Sequence, residues 1–278
     1  MDVKRLILFS LFFLTACAPA GGDTSLDHDL VKDEIVADMV AKTLEAYALR
    51  SAETAEPDWG LDAPGEQHSV EVTQESQPAV IDEADVDPSS ELPESHYIWN
   101  ILGHRQYFRI GCEASAADDW AKYFGVEVNE FHFQVRLPLS DNPDLGFVGD
   151  VTGPWGQVPP YAYGVHAAPV AQVLREHYGM KAVGIKGFTL RELKEQIAVD
   201  KPVIAWVIGN VTWSEPYEYT DQQGNKVTTA PYEHVVIVTG YNATHIRFMN
   251  NGKFYDIQTE YFERSWNVLG NMVVYMDE

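Results

Sequence analysis

The tightest constraint on what this chain can fold into is a break in its texture near residue 96. From Ala18 to Glu94 there are only two aromatic residues, Tyr47 and Trp59, and prolines recur at 57, 64, 78, 88 and 93. Residues 18–96 carry twenty acids against Lys32, Lys42 and Arg50, a net charge of −17. Such a stretch buries too little apolar surface to offset the entropy of ordering it. The hydrophobic core is therefore expected from residues 97–278, a length that suits one domain. The whole chain carries a formal charge of −23. That sign repels phosphate backbones and argues against a nucleic-acid partner.

Residues 1–16 read as an address. Lys4 and Arg5 precede the apolar run Leu6–Leu14, which is followed by small residues. The run is too short for a bilayer-spanning helix of about 20 residues and fits the apolar part of a secretory signal peptide. The words Leu14-Thr15-Ala16-Cys17 resemble the lipobox of bacterial lipoproteins. That resemblance implies cleavage before Cys17, lipidation of its sulfur, and a membrane anchor facing the extracytoplasmic side. An ordinary signal peptide with an incidental cysteine is the competing account. Two or more acyl chains anchor stably where one is marginal.

Residues 17–96 then read as an acidic, largely disordered spacer, extended by its own repulsion. Within it, residues 26–49 place Leu30, Ile35, Met39, Val40, Leu44 and Tyr47 near helical spacing. One amphipathic helix is expected there, either docked or transient. Asp82–Asp87 is acidic but lacks the glycine turn and distal glutamate of an EF-hand loop, so it reads as a solvated face. No metal and no cofactor is expected anywhere in the chain.

The third segment changes texture along its length. Cys112–Phe124 and Ala167–Tyr178 read as helices closed by Gly125 and Gly179, and Thr189-Leu-Arg-Glu192 opens a third helix with a capping box. Strand patterns follow at Val203–Ile208, His234–Val238, His245–Met249, Lys253–Ile257 and Met272–Met276. Helices followed by mostly antiparallel strands predict an α+β fold, a helical N-terminal part packed on the sheet.

Cys112 falls where a helix begins, and the free N–H groups and dipole there favour a thiolate. A cysteine nucleophile also needs a base, and the base a third group to orient it. His234 opens the apolar strand His234–Tyr241, which would hold it at the mouth of a buried element. Sixteen residues on, Asn250 ends the next strand, and a hairpin would bring the two together. Gln106 could donate its side-chain amide to a developing oxyanion beside the Cys112 N–H. Each residue alone has a structural explanation: a buried thiol, a strand-end histidine, surface amides.

In combination they resemble the papain-like cysteine peptidases, which carry Gln-x5-Cys at a helix start, then a distant His and an amide or carboxylate. The local words are similar to the C39-like branch, which includes the leader-cleaving domains of bacteriocin exporters. They are Gly111-Cys112-Glu113, Gly146-Phe-Val-Gly-Asp150, Gly164-Val-His-Ala167, Pro202-Val-Ile-Ala-Trp206 and Glu233-His-Val-Val-Ile237. Trp266–Met272 matches as well. The resemblance implies a papain-like fold in which Cys112 attacks a carbonyl, His234 moves the proton, Asn250 orients His234 and Gln106 helps hold the oxyanion. The branch usually has Asp at the third position. Here Asn250 and Asn251 both stand as candidates, with Asn250 preferred.

Asp150, Trp155 and His166 are candidates for substrate contact. For His166 a helix-capping role is the alternative, and for the loop from Ser140 through Asp150 an acidic turn. His104 either lines the cleft or is structural. Two function classes remain open. One is an extracytoplasmic cysteine hydrolase, or a transferase using the same thioester, acting on a peptide or protein. The other is a binding lipoprotein that keeps the fold without turnover.

Overall fold

An unbroken row of nine buried residues, Glu233–Tyr241, forms the strand around which the sheet is organised. The computed structural model describes residues 92–278. The expected signal peptide over 1–16 with Cys17, the helix over 26–49 and nearly all of the spacer lie outside these residues. The elements in chain order are β1 (His96–Tyr97), α1 (Cys112–Tyr123), α2 (Glu130–Arg136), α3 (Ala167–Tyr178), β2 (Ala182–Ile185), α4 (Leu190–Ala198) and β3 (Val203–Ile208). They continue with β4 (Tyr217–Thr220), β5 (Lys226–Thr229), β6 (Glu233–Tyr241), β7 (His245–Asn250), β8 (Lys253–Gln258), α5 (Thr259–Asn267) and β9 (Val273–Met276).

The main sheet runs β2-β9-β3-β6-β7-β8, every ladder antiparallel, with β1 also paired to β6. β4 and β5 form a separate hairpin. Both β3 and β6 are buried along their whole length, which is why they read as continuous apolar runs instead of alternating ones. Helix α1 packs against β6 and β3, and α3 against β2 and β9. The α+β expectation holds.

Local chemistry explains most boundaries. Thr189 and Glu192 form the full capping box that opens α4, an arrangement worth about 1 kcal/mol. Gly179 closes α3 in the left-handed region at φ 66°, where a side chain would be strained. Asn251 and Gly252, at φ 50° and 72°, make the two-residue turn between β7 and β8. An Asn-Gly pair is the favoured sequence for such a turn, because its backbone twist matches the strands it joins.

The structure adds elements that the sequence pattern did not show. They are the two-residue β1, the short helix α2, the edge strand β2, the exposed hairpin β4–β5 and helix α5. Each is short or amphipathic with a solvated face, so its periodicity is brief. Among the described residues no helix is long and apolar enough to cross a membrane.

Candidate active site

Helix α1 begins at Cys112, with Gly111 as its N-cap and no side chain capping it. The chain just before it is pinned from outside: the Ile110 N–H donates to the Val151 carbonyl at 3.2 Å. Gly111 is needed here, since a Cβ would lie 2.9 Å from that of Phe108. Farther along the helix, Trp120 is fully buried and its indole N–H donates to the Pro202 carbonyl at 2.7 Å. That bond ties the cysteine's helix to the entry of β3.

The second component stands on the sheet. Ile237 pairs with Met249 across β6 and β7, so one step on Asn250 lies opposite Val236 and on the same face as His234. Diagonal neighbours on one face are within reach of long side chains. Asn250 Oδ1 is 2.9 Å from His234 Nε2. The amide's other end donates to Asn210 Oδ1 at 3.2 Å, which fixes its orientation. Nε2 is therefore the protonated nitrogen, and Nδ1 keeps a lone pair. Asn251 does not face the imidazole; it donates its amide to Asn250 Oδ1 at 3.0 Å and accepts the Gln106 N–H at 2.9 Å. Trp155 covers the edge, its ring 6.2 Å from that of His234 and its indole N–H on the Glu233 carbonyl at 3.0 Å.

Cys112, Gln106, Asn250 and Asn251 line one small cavity, about 20 Å³, with Asp119 and Met249. That is room for about one water, far less than a peptide side chain needs. The thiol is 5% exposed and donates to Glu113 Oε2 at 3.2 Å. No hydrogen bond joins Cys112 to His234. The Gln106 amide is also engaged, on the carbonyls of Phe108 at 2.8 Å and Arg109 at 3.2 Å.

Electrostatics run against the expected thiolate. Burial pushes the Cys112 thiol well above its usual range, and the charge and hydrogen bond of Glu113 push the same way. A helix N-terminus contributes at most about 2 kcal/mol, whereas full burial shifts a pKa by up to about 3–5 units. Burial wins. It also lowers the pKa of His234, only partly opposed by the Asn250 bond. The resting pair is a neutral thiol and a neutral imidazole.

The remaining candidates have other partners. His166 is the N-cap residue of α3 but its side chain makes no cap hydrogen bond; it is fully buried and held by Asp144 at 2.6 Å and the Tyr163 hydroxyl at 3.2 Å. Asp150 Oδ1 accepts the N–H and hydroxyl of Thr152, a local turn. The acidic loop is likewise tied down, with Asp141 on the Gln222 N–H and Asn142 on Asp221. His104 is gripped by Asp119 at 2.6 Å and Glu130 at 2.9 Å; these bonds outweigh its partial burial and raise its pKa to about 10. Glu130 also accepts the Tyr107 N–H at 3.0 Å. The histidine is a clamp on the loop that carries Gln106.

Residues 95–274 match the model of the Peptidase_C39 like family. The chain belongs to that family. Among solved structures, a chain from Bacillus anthracis described as a C39-like peptidase superposes with a TM-score of 0.59 at 21% identity, covering 67% of this chain and 98% of that one. At that identity the likeness speaks for the fold, which is the papain-like, cysteine-peptidase fold. Xylellain, a cysteine protease from Xylella fastidiosa, aligns at 12% identity with a TM-score of 0.41, over 67% of this chain and 87% of its own. A comparison with curated proteins finds no match. In this C39-like chain two further residues stand beside the sulfur, Glu113 and Glu233, to which the sequence pattern assigned no role. Their signal was adjacency, since each neighbours a candidate catalytic residue.

Proposed function

We propose that this protein is an extracytoplasmic, lipid-anchored cysteine hydrolase that cleaves peptide or amide bonds. The observation that carries the proposal is the Asn250–His234 hydrogen bond on the strand pair facing the start of α1. It leaves Nδ1 as the free acceptor a general base requires. Cys112 attacks the carbonyl carbon as His234 takes its proton. The backbone N–H of Cys112, at the first helical position, has no intrahelical acceptor and is available to the oxyanion. His234 then protonates the leaving amine, and water, deprotonated by the same imidazole, hydrolyses the thioester. Asn250 keeps the ring in the productive tautomer throughout. Acceptance of an amine in place of water would make the same site a transferase.

A specific observation favours a second reading, a surface binding protein that keeps the fold without turnover. The sulfur is buried and bonded to Glu113, and the cavity beside it admits only a small molecule. Profiling a peptide library with the full chain and with Cys112→Ala separates the two. Cleavage that vanishes in the variant supports the hydrolase; a native protein that binds peptides and cuts none supports the binding protein. The lipobox-like words Leu14-Thr15-Ala16-Cys17 support the location. Cys17→Ala should release the protein from membranes, and unchanged partitioning would refute the anchor.

A further inference from the structure

Two carboxyl groups meet beside the nucleophile. The Cys112 sulfur and one oxygen each of Glu113 and Glu233 lie within 4.8 Å of one another. The two carboxyls are 0% and 3% exposed. Gly164 makes this possible: at φ 126° it presents no side chain, and a Cβ there would collide with Glu113 Oε1 and lie 3.0 Å from Glu233 Oε2. Glu113 is well supplied with donors, the Val165 N–H at 2.6 Å and the Cys112 thiol at 3.2 Å. Glu233 is not, and its buried Oε1 has no partner. Neither carboxyl forms an ion pair among the described residues.

Two buried carboxylates at this separation cannot both stay ionised. We propose that Glu113 and Glu233 share one proton, with Glu233 as the acid and Glu113 as its acceptor, and that this pair is a positioning device holding the Cys112 thiol neutral and turned away from His234. A protonated Glu233 has a hydrogen to donate, and the Glu113 carboxylate, with an oxygen within 4.8 Å, is its nearest acidic neighbour and already accepts the Val165 N–H and the thiol. The assignment also removes one of two like charges from a site without a cation.

The electrostatic directions agree. Burial raises Glu113 to about 7, and burial and the Glu113 charge push Glu233 well above its usual range. The other groups facing the pair are the thiol on α1 and Tyr163 on the loop. Tyr163 is itself pushed up, chiefly by burial, and its hydroxyl is engaged with His166. His234 leaves β6 in the opposite direction from Glu233, because neighbouring strand residues alternate faces. The thiol's hydrogen bond is to the acidic pair, and in the proposed function it must leave Glu113 before an imidazole can take its proton. This deepens the proposed function and rests on His234 being that imidazole. The proton itself is independent of catalysis.

The test uses the full-length protein without substrate. Infrared spectroscopy at neutral pH should show the carbonyl band of a buried protonated carboxylic acid, lost in Glu233→Gln. That variant should stay folded, since its amide N–H replaces the shared hydrogen. The iodoacetamide alkylation rate of Cys112 against pH gives the second readout. Glu113→Gln should move its midpoint down by at least one unit, roughly tenfold faster labelling at pH 7, and Glu233→Gln should leave it close to native. No acid band, an alkylation profile unchanged in a folded Glu113→Gln variant, or one divalent metal ion per chain released by both glutamate substitutions would each overturn the proposal. A peptidase assay is run alongside. If nothing is cleaved while band and profile behave as stated, the hydrolase reading fails and the proton-sharing pair stands.

Discussion

Asn250 Oδ1 lies 2.9 Å from His234 Nε2, on the adjacent antiparallel strand. Neighbouring amides hold Asn250 in place, so the imidazole is presented in one tautomer. Replacing His234 by Ala should cost cleavage about 10²–10⁴-fold, the usual worth of a general base. Asn250→Ala should lower kcat more than it raises KM, by a smaller factor. Single-turnover kinetics on a library-derived peptide checks both, and an Asn250→Ala variant with native kcat would sink the orienting role.

His104 provides a pH signature of stability. Its pKa is raised by Asp119 and Glu130 from 6.5 to about 10. A raised folded-state value means the contribution is complete below the unfolded pKa, near 6.5, and is lost as pH rises through about 10. Stability should therefore fall across that alkaline window. The amount is about 1–2 kcal/mol once solvent screening of a part-exposed group is allowed for. His104→Gln should flatten this slope in urea titrations at stepped pH; a variant with the native slope would remove the clamp from the account.

Trp120 joins α1 to the core. Trp120→Ala should destabilise by about 3–5 kcal/mol through the cavity it leaves. Trp120→Phe should cost roughly 1–3 kcal/mol, because the Pro202 carbonyl loses its donor. Chemical denaturation measures both, and a Phe variant as stable as the native protein would show that the indole bond contributes nothing.

Gly164 keeps the acidic pair together. Gly164→Ala adds a Cβ against Glu113 Oε1 and Glu233 Oε2 in a left-handed conformation. It should lower Tm by several degrees, equivalent to about 1–3 kcal/mol of strain, and change the alkylation rate of Cys112. A thermal melt indistinguishable from native would contradict the close packing at that turn.

Much of the domain was readable in advance, for local reasons. The helices starting at Cys112 and Ala167 and the capping box at Thr189 are set by backbone preferences that act over a few residues. The strands β3 and β6 announce themselves because a strand buried on both faces is apolar throughout. By the same logic β1, β2, β4 and β5 were hidden: they are two to four residues long, and edge pairing leaves no lasting alternation. The Cys112, His234 and Asn250 positions came from their spacing and their placement at element ends. The burial of His166 was not legible, because nothing local says that Asp144, 22 residues earlier, returns to bond it.

The sequence alone determined where the core lies, which helices and inner strands form, and which residue types stand at their ends, because propensity, capping and burial patterns are short-range. Tertiary structure decided the protonation chemistry. It packed Glu113 and Glu233 against the Cys112 sulfur, turned the Gln106 amide onto its own loop and narrowed the space beside the thiol to about 20 Å³. Charge and solvation depend on what is packed around a group in space, and the approach of β6 to the start of α1 joins residues more than a hundred positions apart.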